Sequence, residues 1–108
     1  MIYWHNKHPN LAMSTIVFLA FYDKNNYELL LKHADDRKKL DDKWEDWLAN
    51  FLKAKANFIA EFEVVEYPVD DEIMAKYFNE NKLKNTGANR SKYVSEQGAG
   101  KYNLKSKY

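Results

Sequence analysis

The chain has no cysteine, only three glycines and only two prolines among its 108 residues. Without thiols it can be neither a disulfide-stapled scaffold, nor a zinc finger built on thiolates, nor an enzyme with a cysteine nucleophile. The glycines fit no phosphate-binding loop, and Gly98 and Gly100 form a G-x-G too short for a dinucleotide fingerprint. Long apolar runs are missing too. The longest, residues 16–22, has seven members, against the ~20 needed to cross a bilayer as a helix. It is rich in aromatics for a signal-peptide core and leads into Asp23, Lys24, Asn25 and Asn26 instead of a small-residue cleavage site. The expectation is a cytoplasmic protein with no membrane partner.

What is present suits one globular domain. An apolar share of 45% with 31% charged residues is that of a folded chain, not a disordered one. A chain this long fits the usual domain size of ~100–150 residues and can bury one core. Aromatics make up 16%, eight of them tyrosines, which is a large apolar payload. No internal repeat or low-complexity tract interrupts it.

Charge is divided unevenly along the chain. Residues 1–81 carry a balance of −5, whereas residues 82–108 carry +6, with Glu96 the lone acid among seven basic residues. An acidic body with a basic end suggests an anionic partner for that end, although a solvated tail has the same composition.

Residues 16–22 read as a buried strand, from their β-branched and aromatic content and the turn residues behind them. Asn25 and Glu28 then mark a capped helix with Tyr27, Leu30, Leu31 and Ala34 on its apolar side. Leu40, Trp44, Trp47, Leu48 and Phe51 fall at helical spacing and predict an amphipathic helix, begun by Asp42 or from nearer Asp36. From Phe58 the period changes to two, so residues 58–65 read as a second strand, ended by Pro68. Two strands separated by a helical stretch can pair in parallel. Asp70 caps the next helix, whose stripe is Val69, Ile73, Met74, Tyr77 and Phe78, with Asp71 and Glu72 favouring its dipole. A further helix is expected from about Ala88 to Gln97, stopped by Gly98, Ala99 and Gly100. Tyr102, Leu104, Ser106 and Tyr108 alternate with polar residues as a candidate third strand.

These readings give an α+β fold, a small two- or three-stranded sheet packed by amphipathic helices, with a helical hairpin in the C-terminal third. Residues 1–12, without a clear period and followed by Met13, read as an N-terminal extension. Residues 13–97 form the domain, divided into strand-helix-helix-strand (13–67) and helical hairpin (68–97). Residues 98–108 are a basic tail or an edge strand. The short sheet and the aromatic content suggest a twofold dimer.

The hairpin has a helix-turn-helix look, with residues 98–104 as a wing-like strand, although its helices are separated by more than the usual three or four residues. Thr86, Asn89 and Ser91 offer hydroxyl and amide groups for phosphates or base edges. Arg90 has the fork to address guanine, and Lys84, Lys92 and Lys101 can neutralise phosphates.

Other constellations carry less. Asp23, Glu61 and Glu63 could meet around Mg²⁺ if the two strands are neighbours, but strand carboxylates spaced by two usually form a solvated face. The pairs Asp35–Asp36, Asp41–Asp42 and Asp70–Asp71 stand near helix starts and read as caps. His5 and His8 lie in the extension, while His33 near a helix end suits the negative end of the dipole when protonated. No histidine sits in a triad-like arrangement. The sequence therefore predicts no enzyme, no cofactor and no metal. The leading expectation is a small accessory or regulatory protein that binds DNA or RNA through its basic C-terminal third. The alternative is a non-enzymatic interaction or structural module.

Overall fold

The computed structural model describes residues 2–5 and 14–101. The order is β1 (Ile2–His5), β2 (Ser14–Phe21), α1 (Lys24–His33), a 3-10 turn (Arg37–Lys39), α2 (Trp44–Ile59), β3 (Glu63–Pro68), α3 (Asp71–Glu80) and α4 (Gly87–Lys101). The fold is α+β, as the sequence implies. No described helix is long and apolar enough to cross a membrane.

β2 is the central strand of the sheet β1-β2-β3. It pairs in parallel with β3, Phe18 opposite Val65 and Ala20 opposite Tyr67, because the α1–α2 crossover returns the chain in the same direction. The other neighbour is a correction: residues 2–5, read above as part of an extension, pair antiparallel with β2 from Ile2↔Val17 to His5↔Ser14. The antiparallel return supplies the third strand that two strands alone would lack. The expected strand at 102–108 lies outside the described residues.

Successive strand residues point to opposite faces, which separates the helices into layers. Phe18 faces Gly98 of α4, whereas Phe21 meets Trp47 and Phe51 of α2 at 5.7 and 5.5 Å between ring centroids. Thus α4 and α2 cover opposite faces. Phe18, Tyr22, Tyr27, Leu30, Met74 and Val94 lie at the heart of the main core. On the α2 side, Trp47 stacks on Phe51 at 5.1 Å, and the Trp44 indole N–H donates to the Tyr22 carbonyl.

Several boundaries differ from the expected ones, each for a physical reason. Asp23 caps α1 in place of Asn25, its carboxylate accepting the Asn26 N–H at 2.8 Å. Asp42 caps nothing, because its carboxylate pairs with Arg37, and α2 starts after Lys43 without a side-chain cap. The second strand begins at Glu63, five residues after Phe58, since α2 continues to Ile59. Ile73, assigned above to the buried stripe of α3, is 59% exposed. Asp70 does cap α3, accepting the Ile73 N–H. The glycines 98 and 100 do not stop α4, which runs through both to Lys101. Residues 98–101 are therefore helix and not the start of a wing.

Candidate functional site

The basic C-terminal residues do not gather into one reading surface. Arg90 is 7% exposed. Its two terminal nitrogens reach Asp36 Oδ1 and Oδ2 at 2.9 Å each, and Nη1 also donates to the carbonyl and side-chain oxygens of Asn85. The fork expected to address guanine matches a carboxylate bidentately, and here Asp36 fills it. The Gly87 N–H also donates to Asp36. Held by Arg90, the Asp36 carboxyl lies below the usual carboxylate range.

The polar neighbours are occupied with building the start of α4. The Thr86 carbonyl accepts the Arg90 N–H, and its hydroxyl takes the Asn89 N–H at a long 3.5 Å. The Asn89 side chain donates to the Lys84 carbonyl at 2.8 Å. Lys84, Ser91, Lys92 and Lys101 are exposed. Lys92 shares the outer side of α4 with Glu96 one turn on, an acid that opposes its attraction for phosphate. Lys101 stands 5.8 Å over the Tyr67 ring at the far end of the helix, nine residues or ~13 Å from Lys92.

The carboxylates that could have met around a metal ion, Asp23 and Glu63 among them, are also apart. Glu63 lies opposite Ile16, near the beginning of β2, while Asp23 follows its end and caps α1. No group of three histidine or carboxylate residues able to hold a metal ion occurs among the described residues.

A different pair is formed instead. His33, the last residue of α1, meets the Asp71 carboxylate with Nδ1 2.8 Å from Oδ2. Asp71 is fully buried, and its backbone N–H donates to the Asn26 side chain. Burial pushes its carboxyl above the usual range, with His33 opposing that rise. Sequence reading treated Asp71 as a first-turn acid; α1 and α3 packing against each other brings the two residues together. His33 lines an open cleft of about 760 Å³ with Asp35, Glu72, Lys76 and Asn79. An aspartate that orients a histidine can make a base, but no hydroxyl or thiol lines this cleft to serve as nucleophile.

The third feature is an edge. Among the described residues β3 has one neighbour, β2. The Val69 N–H donates to the Phe21 carbonyl, so by alternation the backbone groups of residues 67, 65 and 63 turn to β2. Those of Val64, Glu66 and Pro68 turn outward. Pro68 thus has its missing N–H on the open side, where no bond within the sheet is lost. Beside this edge runs one flank of α2. Lys55 reaches across to Glu66 on β3, and at about 3.6 residues per turn Leu52, Ala56 and Ile59 lie next to Lys55, on the side turned from Trp47 and Phe51. Leu52 is 53% and Ile59 56% exposed, and Ala56 beside them is exposed as well. The signal was present in the sequence as a second apolar row, hidden behind the stronger aromatic one.

No protein-family model matches the chain, and neither the curated proteins nor the solved structures searched contain a match to it.

Proposed function

We propose that this chain is a non-enzymatic protein-interaction module that docks a polypeptide along the outer edge of β3. One observation carries the reading: backbone groups of Val64 and Glu66 that no described strand pairs run alongside the exposed apolar flank Leu52–Ala56–Ile59 of α2. An edge strand gives affinity through main-chain hydrogen bonds, and an adjoining apolar row gives side-chain contacts. A photo-crosslinking side chain placed at Leu52 in cells should give a covalent adduct with a polypeptide. Absence of an adduct, or an adduct with nucleic acid only, overturns the reading.

A second reading keeps DNA or RNA as partner, with Lys84, Lys92 and Lys101 as phosphate contacts beside Thr86, Asn89 and Ser91. The observation in its favour is that these three lysines are exposed and form no ion pair with a described residue. Arg90 has no part in it. A crosslinker at Lys92 that captures nucleic acid would select this reading over the first.

A further inference from the structure

We infer that the polypeptide docked on β3 is a second copy of this chain, joined edge to edge about a twofold axis into a continuous six-stranded sheet. The inference rests on the docking surface proposed above and names its occupant.

The strand's own geometry selects the pairing. Directly opposed residues of an antiparallel pair lie on the same face of the sheet, so a twofold partner must align residues of like parity. With Val65 on the axis, Val64 stands opposite Glu66 of the partner subunit. Each such pair exchanges two N–H···O bonds, so all the outward groups of Val64 and Glu66 are satisfied. Shifting the axis to Glu66 would set Val64 against Pro68 of the partner subunit, which has no N–H to give. It would also place two glutamates face to face. The proline therefore excludes the Glu66-centred register.

Charge supports the same register. With Val65 on the axis, Glu63 stands opposite Tyr67 of the partner subunit, whose ring lies under Lys101 of its own chain. Glu63 is exposed and Lys101 is exposed. Within one chain they cannot meet, because Tyr67 lies four residues, ~13 Å, along β3 from Glu63. Across the axis they come together twice, once at each end.

The helices have room. α2 packs against both β3 and β2, so its axis lies between the two strands. Two copies of α2 would then be separated by about two strand spacings, ~10 Å, which matches the 8–10 Å of packed helices. The flanks that meet there are the exposed rows of Leu52, Ala56 and Ile59. On the opposite face, α4 packs on β2 and β1, and Lys101 at its end reaches over Tyr67 of β3.

The test uses the purified full-length chain in sedimentation velocity across the micromolar range. The wild type should dimerise with concentration. Glu63→Lys and Lys101→Glu should each weaken association by about tenfold or more, because each sets like charges opposite one another twice. Mixed in equal amounts, the two variants should associate as tightly as wild type, since both cross-axis pairs are then of opposite sign. Ala56→Arg, at an exposed helical position, should abolish the dimer while leaving the circular dichroism spectrum unchanged. A wild type that stays monomeric throughout overturns the inference. So does a mixture no tighter than its components, or a dimer indifferent to Ala56→Arg. If the purified chain is monomeric while the crosslinker at Leu52 captures another protein, the inference fails and the docking surface stands. If the crosslinker captures nothing as well, both fail.

Discussion

Arg90 grips Asp36 with both of its terminal nitrogens, 2.9 Å on each side, across 54 residues of chain. The Arg90 side chain is 8% and the Asp36 side chain 14% exposed, so the pair is largely withdrawn from water. Removing one partner of such a pair strands the other as a buried charge, which costs more than the pair itself contributes. Arg90→Ala and Asp36→Ala should each destabilise the fold by ~3–5 kcal/mol. The double variant should cost clearly less than the sum of the two. Chemical denaturation of all four proteins would show this, and a sum that is simply additive would mean the two residues act apart.

Two carboxylates give stability opposite dependences on pH. Asp36 has a lowered pKa through Arg90, so its contribution is complete above the unfolded carboxylate pKa of ~3.9 and is lost as pH falls through the folded value. Asp71 has a raised pKa through burial. Its protonated form is the one the fold favours, so that stability is present below ~3.9 and lost as pH rises through the higher folded value. Asp71→Asn removes the second titration. The variant should therefore gain on wild type as pH rises through that interval, with the difference level above it. Thermal melts in a series of acidic buffers would measure the gap; a gap that shrinks with rising pH contradicts the assignment.

Gly98 and Gly100 should answer the same substitution in opposite ways. A Cβ at 98 would lie 2.5 Å from the Phe18 ring, and at 100 it would meet nothing within 4 Å. Gly98→Ala should cost ~1–3 kcal/mol through overpacking. Gly100→Ala should stabilise by up to ~1 kcal/mol, since alanine is the better helix former. Set against Phe18→Leu alone, Gly98→Ala should cost less in a Phe18→Leu background than in wild type. Urea midpoints of the five proteins decide it.

Trp47 is the aromatic hub of the α2 face. It lies within 5.7 Å, centroid to centroid, of Phe21, Tyr22, Tyr27 and Phe51. Trp47→Ala should cost ~3–5 kcal/mol, a large part of a small domain's stability. A melt within a few degrees of wild type would show that these rings pack without it.

Much of this architecture was legible along the chain because its signals are local. Asp70 announces α3 through its own cap, and the spacing of Trp44, Trp47 and Phe51 gives the inner face of α2. The start of β3 was harder to place, because Phe58 and Phe62 satisfy a helical spacing and a strand alternation at once. Helical continuation through Ile59 wins, and the two rings end 6.0 Å apart. Gly98, Ala99 and Gly100 read as a helix stop by propensity. Packing overrides propensity here, since α4 can approach Phe18 only where a side chain is missing. The site was the least legible part. Arg90 is a cation in any window of sequence, and only the folded chain shows that its anion is Asp36. His33 and Asp71, 38 residues apart, are joined by helix packing that no periodicity encodes.

The clasp around Arg90 also has a temporal meaning. Asp35 and Asn85 exchange backbone and side-chain hydrogen bonds, and Asp36 receives Gly87 and Arg90, so two segments fifty residues apart are locked at one point. Contacts that close so long a loop are slow to form and belong late on the folding route. They should accordingly act as a latch on the finished molecule: loosening them speeds escape from the native state and scarcely changes the rate of entry. In stopped-flow experiments, Asp36→Ala should steepen the loss of native protein while leaving the refolding arm close to that of wild type.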